Sequence, residues 1–242
     1  MHPSQYHYLP LAWPFMLVLV IIFGLAIALI ELNILSYAYE RIGISRRYVF
    51  GLLLLSLAGS YVNIPVAELP PEKVESDRTI QFMGVRYNVP VVENWPGTII
   101  AVNLGGAVIP TLLSIYLIFR NAIFFRSLIG VAIVALIVHW LAKPVPGVGI
   151  AVPIFIPPIA AALVAVGLAR LPLSEPSGVD APPPVTIAPA LAYVVGSLGT
   201  LIGADLMNLG QIQALGAPIA SIGGAGTFDG IFVTGIVAVL LA

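Results

Sequence analysis

The chain has 242 residues, 60 % of them hydrophobic and 9 % charged, with a net charge of −1 and a mean hydropathy of +1.05. Soluble domains carry roughly 25 % charged residues, so a soluble globule of this size would lack the side chains to cover its surface. The ten basic residues are scattered, which excludes a nucleic-acid footprint, and the absence of cysteine excludes disulfides, thiolate nucleophiles and zinc–thiolate centres.

The class left standing is an all-α integral membrane protein, because spanning helices satisfy their own backbone. No ten-residue alternation recurs along the chain, which argues against an outer-membrane barrel. Against the ~20 residues needed to cross a bilayer, seven apolar segments stand out: 11–37, 48–65, 97–119, 122–142, 148–169, 188–209 and 217–242. They predict a single domain over 1–242, a polytopic bundle of about seven transmembrane helices. The first segment follows MHPSQYHYLP, which has neither a basic n-region nor a small-residue cleavage site, and reads as a retained helix.

Between the second and third segments, the stretch 66–96 holds most of the soluble polarity, including Glu68, Glu72, Asp77 and Arg86. Within it, TIQFMGVRYNVP reads as two short β-runs hinged at Gly84, a small external hairpin. It is either a lid over loop backbone or an edge able to pair with an extended peptide. The fifth segment carries prolines at 144, 146, 153, 157 and 158. Because proline removes a backbone donor, this span is expected to be broken or re-entrant. After it, 171–185 reads as a flexible linker rich in proline and serine, and 186–242 as a pair of helices.

Short-loop arginines set the orientation. Arg41, Arg46 and Arg47 lie between the first two spans, Arg120 and Arg126 between the third and fourth, and Arg170 ends the fifth. The positive-inside rule places them in the cytoplasm, hence the N-terminus and 66–96 outside and the C-terminus inside.

Ionisable groups at membrane depth suggest function. Glu31 falls close enough to the inner arginines to reach the headgroups, and His139 sits beside Trp140 in an interfacial pattern. Asn33 and Asn103 fit interhelical hydrogen bonds. His2, His7 and His139 form no metal-spaced pair, and no metal or cofactor is expected.

The last two spans differ from the others. Ala192, Gly196, Gly199 and Gly203 form a small-residue stripe, and GADLMNL, which starts at Gly203 and ends at Leu209, carries Asp205. Twenty residues on, GGAGTFDG supplies Gly223, Gly224, Gly226, Thr227, Asp229 and Gly230. With Gly203, these are the candidates for close backbone approach or substrate binding. Asp205 and Asp229 on consecutive antiparallel spans can converge. Two carboxylates in a dry site share one proton, so that one acts as base toward water and the other as acid toward a carbonyl. Counted from Ala188 at 1.5 Å per residue, Asp205 lies roughly 25 Å along its helix, near the outer surface. The alternatives are a cation site in a proton- or ion-coupled carrier and a scaffold in which the aspartates only tie helices together.

The stretch GTLIGADLMNLG…APIASIGGAGTFDGIFVTGI resembles a prokaryotic integral-membrane family catalogued as a domain of unknown function, a likeness that extends over most of the chain and implies no activity. The two aspartate motifs more loosely resemble the GxGD-type intramembrane aspartyl proteases, the presenilin and signal-peptide-peptidase group. That resemblance implies Asp205 as the first catalytic aspartate, Asp229 as the second, and a transmembrane peptide as substrate beside membrane lipid. Ala204 stands where that group usually has tyrosine, and Thr227-Phe228 is inserted before the second aspartate. The oligomeric state is left open.

Overall fold

The computed structural model describes residues 13–70, 80–82, 85–87, 97–145, 149–172, 184–211, 219–224 and 230–242. The chain divides into two compact units, Met1–Tyr37 and Ala38–Ala242. Most of the first helix, α1 (Trp13–Arg41), belongs to the first unit. A membrane-length window within Val20–Arg41 has none of its residues buried, so its exposed Ile21, Ile22, Phe23 and Leu25 present the apolar surface that lipid covers.

In the second unit, three helical hairpins share one polarity. The first is α2 (Arg46–Gly59) with α3 (Ile109–Asn121), the second α4 (Phe124–Leu141) with α5 (Ile156–Arg170), and the third α6 (Pro184–Thr200) with α7 (Gly230–Leu241). At one end, arginines join the helix termini. Arg126 at the start of α4 donates from Nε to the Leu168 carbonyl (3.3 Å) and from Nη2 to that of Leu171 (3.0 Å). The Arg41 Nη1 reaches the Val239 carbonyl near the end of α7 (2.9 Å), and Arg120 Nη1 the Gly43 carbonyl (2.6 Å). Each cation meets carbonyls that a helix terminus leaves without intrahelical donors. The arginines therefore join helix ends.

At the opposite end every hairpin passes through β-structure. Strands β1 (Asn63–Leu69), β4 (Thr98–Asn103) and β7 (Ile219–Ile222) form a sheet in that order, β1 antiparallel and β7 parallel to β4. The register of β1 shifts between Pro65 and Ala67. Strands β2 (Ile80–Phe82) and β3 (Val85–Tyr87) pair antiparallel, the hairpin expected from TIQFMGVRYNVP; Gly84 lies outside the described residues. Strands β5 (Lys143–Val145) and β6 (Gly149–Ala151) make a second hairpin.

Among the described residues, four helical stretches are long and apolar enough to cross a membrane: Val20–Arg41, Leu104–Asn121, Phe124–Leu141 and Ile187–Gln211. Seven were expected. The runs 48–65, 148–169 and 217–242 divide instead into a strand and a short helix, because an apolar run alone does not separate buried strand from helix. The α2, α5 and α7 helices have 14, 15 and 12 residues, about 18–23 Å at 1.5 Å per residue, short of the ~30 Å hydrocarbon core. The proline-rich span is likewise not a broken helix. Pro144 lies in β5, Pro153 precedes α5, and Pro157 and Pro158 fall in the first turn of α5, where a missing N–H costs nothing. Pro146 lies outside the described residues.

The α6 helix is the axis, packed by α3, α4, α5 and α7. From Ile187 to Thr200 only Leu198 is not buried, as expected for a helix apolar on all faces. Its small-residue stripe sets the spacing. A Cβ on Gly199 would lie 2.7 Å from Val134 Cγ1, and one on Gly203 would collide with the Ala135 carbonyl oxygen, so α4 meets α6 at backbone distance.

The shared polarity predicts sidedness. With no native cysteine, Ser45→Cys and Arg170→Cys in sealed vesicles should react with an impermeant maleimide from the same face, and Glu68→Cys from the other. Labelling of Ser45→Cys and Glu68→Cys from one face would refute the hairpin arrangement.

Candidate functional site

Three chain segments lose or acquire helical form where the sheet meets the bundle. After β4, residues Leu104–Val108 form a π-helical turn that leads into α3. After α6, Leu201–Asp205 is π-helical and Leu206–Gln211 is 3-10. After β7, Gly223 and Gly224 take φ of +91° and +78°, conformations that favour glycine.

Asn103 organises the first of these. It is 1 % exposed. Its Oδ1 accepts the Gly106 N–H (2.8 Å), while Nδ2 donates to the Ser60 carbonyl (2.7 Å) and to Asn63 Oδ1 (3.1 Å). The Ser221 Oγ lies 2.7 Å from the Asn63 oxygen and very close to the Gly224 carbonyl, so that its one proton is shared between these two acceptors. One amide pair thus joins the end of α2, the start of α3 and the turn after β7. The Ser56 hydroxyl adds a bond to the Gly105 carbonyl (3.1 Å).

Glycines bring the backbones this close. A Cβ on Gly105 would collide with the Ser56 carbonyl, and one on Gly106 with the Gly223 carbonyl. One on Gly223 would lie 2.6 Å from both the nitrogen and the Cβ of Ala107. Beneath them Ile100, Ala107, Leu201, Ile222 and Ile231 form a dry apolar cluster.

Asp205 enters from α6. Half-buried, its Oδ2 accepts the Gly223 N–H at 2.7 Å, a charge-assisted type of bond. The GADLMNL segment is therefore fastened to the Gly-Gly of GGAGTFDG. Asn208, 1 % exposed, ends the helix by donating Nδ2 to the carbonyls of Gly203 and Ala204, both at 2.9 Å. Asp205 closes the π-helical turn that follows α6.

Asp229, Gly226 and Thr227 lie outside the described residues. Of the candidate glycines, Gly203 and Gly223 are sites of close backbone approach, Gly224 supplies a left-handed turn, and Gly230 has open space around its Cα. Glu31 is exposed on α1. His139 keeps a buried Nδ1 that has no partner among the described residues, beside an exposed Trp140. Among the described residues no group of three histidine or acidic side chains is placed to hold a metal. Sequence reasoning overlooked Asn63, Ser60, Ser221 and the Gly105-Gly106 pair. The signal was there, since Asn103 at the end of β4 and Ser221, one residue before the end of β7, are each followed two residues on by Gly-Gly.

A polytopic, mostly helical chain with apolar helices of spanning length and a polar glycine-built junction is the class defined here. The family described as "Protein of unknown function (DUF1614)" matches residues 57–241, and the chain belongs to it. Neither a curated protein nor a solved structure matches.

The junction predicts where substitutions hurt. Gly106→Ala and Gly223→Ala should each cost roughly 2–4 kcal/mol, from overpacking and, at Gly223, backbone strain. Asn103→Ala should cost about as much, by leaving buried groups unpaired. Gly167→Ala on α5, with no neighbour within 4 Å, should be neutral or slightly stabilising. Thermal unfolding in detergent checks this; a Gly106→Ala protein that melts with the wild type would contradict the backbone contact.

Proposed function

We propose that this protein is a small intramembrane aspartyl protease in which Asp205 and Asp229 share a proton. The observation that supports the reading is the Asp205–Gly223 hydrogen bond of 2.7 Å. It fastens one aspartate-bearing segment to the segment that carries the other, and Asp229 directly precedes Gly230, where α7 begins. In the proposed reaction one carboxylate takes a proton from water and the water oxygen bonds to the scissile carbonyl carbon. The protonated partner donates to the carbonyl oxygen. Collapse of the resulting diol breaks the C–N bond as the amine nitrogen takes up a proton. Strand β7, at the edge of its sheet, runs into Gly223 and offers main-chain groups against which an extended peptide can register.

The setting proposed is a prokaryotic cytoplasmic membrane, with the arginine-bearing ends of the hairpins cytoplasmic, the N-terminus outside and the C-terminus inside. Membrane lipid and a transmembrane peptide are the partners, and neither a nucleic acid nor a cofactor is required.

A second reading, a proton- or cation-coupled carrier, is favoured by the interrupted end of α6. Discontinuous helices form midplane ion sites in transporters. Here α6 loses α-geometry at Leu201–Gln211, and the buried Thr200 hydroxyl just before the break has no partner among the described residues.

The two separate experimentally. In vesicles containing a transmembrane reporter peptide, Asp205→Asn and Asp229→Asn should each reduce cleavage by about 10²–10⁴-fold, while the fold persists by thermal unfolding. Near-normal cleavage in either variant would overturn the shared-proton mechanism. Proton, sodium or potassium flux that depends on both aspartates, without any cleavage, would establish the carrier instead.

A further inference from the structure

A second feature lies at the opposite end of the bundle. A groove of about 620 Å³, lined by residues that include Ser45, Arg47, Tyr48, Leu55, Tyr116 and Arg120, runs between the α1–α2 turn, α2 and α3. That volume is in the range of small-molecule sites. Its mouth is cationic. Arg47 and Arg120 are exposed, and among the described residues neither is paired with a carboxylate; the nearby ion pair is Arg46–Glu40 at 3.9 Å. Arg120 is braced through Nη1 alone, to the Gly43 carbonyl (2.6 Å) and the Tyr116 hydroxyl (2.8 Å). Its Nε and Nη2 remain as donors. Arg47 lies 4.7 Å from the centroid of the Tyr48 ring. Ser45, the N-cap of α2, makes no side-chain capping bond, so its hydroxyl is also unspent.

The wall changes character along its length. Leu52, Leu55 and Leu113 also line it. Leu55 lies about 12 Å along α2 from Arg47 and Leu113 about 10 Å along α3 from Arg120 at 1.5 Å per residue, Leu55 being exposed, Leu52 half-buried and Leu113 buried. Two guanidinium groups and two tyrosines at one end of an apolar trough match an amphiphile with an anionic head. Tyrosines favour the membrane–water interface, and arginine forks suit phosphate oxygens. A soluble anion would use the mouth and leave the leucine wall without an occupant.

We infer that this groove is a binding site for one anionic phospholipid, its phosphate held between Arg47 and Arg120 and an acyl chain laid along Leu52, Leu55 and Leu113. The lipid would thereby join α2 to α3 beside the α1–α2 turn. The inference is independent of the activity proposed for the aspartates.

Native mass spectrometry of the full chain, released from neutral detergent after titration with phosphatidylglycerol or phosphatidylcholine of matched chains, tests it. One phosphatidylglycerol should be retained, at least tenfold more tightly than phosphatidylcholine. Arg47→Gln and Arg120→Gln should each lower its retention at least fivefold, while Arg46→Gln, outside the groove, should leave it within twofold. Arg120→Gln also removes the brace on Gly43, so Arg47→Gln, which forfeits only its contact with Tyr48, decides the matter if the former fails to fold. Inorganic phosphate at millimolar concentration should not displace the lipid. Equal retention of both lipids, unchanged retention in Arg47→Gln, an equal loss in Arg46→Gln, or displacement by phosphate would each overturn the inference.

Discussion

Main-chain N–H and C=O groups that leave a helix and are buried in the protein must find partners there, at a cost of several kcal/mol for each that fails. This constraint governs the end of the molecule where the sheet lies. Helices α2, α3, α6 and α7 all begin or stop there, and the freed groups are taken up by the β1–β4–β7 ladder, by Asn103 and Asn208, and by the Asp205 carboxylate. Side-chain amides suit the task because each offers donors and an acceptor within one small group. The glycines at 105, 106 and 223 then permit the backbones to approach closely enough for those bonds to form.

The opposite end solves a related problem with cations. Helix C-termini leave carbonyls unpaired and carry partial negative charge. Arg41, Arg120 and Arg126 meet such carbonyls across helix boundaries and so join the hairpins. Arg126, 5 % exposed, binds the end of α5 from within the protein. Arg47 and Arg120 keep donors in reserve at the rim of the groove between α2 and α3. One end of the bundle is thus cationic, and the other, built from amides and glycines, holds the Asp205 carboxylate.

Between them, α6 is packed by α3, α4, α5 and α7. Its small residues let α4 pack at backbone distance, and its termination places Asp205 against the turn that follows β7. A change in the spacing of α4 and α6 would therefore move the carboxylate relative to Gly223. That coupling suits either chemistry proposed for the site, because both need the carboxylate held to within a fraction of an ångström of its target.

The apolar helices of spanning length, the arginines at the helix ends and the pairing of 80–82 with 85–87 were legible from residue type alone. Hydropathy and charge act locally, and 3.6-residue small-residue spacing reports a close helix contact wherever it occurs. The split of 48–65, 97–119 and 217–242 into strand and helix was not legible, since Ile, Val and Ala serve equally in a buried strand and a buried helix. What decided it was pairing: β4 is a strand because Asn63–Leu69 and Ile219–Ile222, distant in sequence, lie on either side of it. The role of Asn103 was hidden for the same reason. By sequence it is one asparagine in an apolar run; its partners Ser60, Asn63 and Gly106 come to it only when two helices and a sheet converge. Composition by itself determined the solvent in which this chain folds, and tertiary structure alone decided which backbone groups that solvent would leave to be satisfied from within.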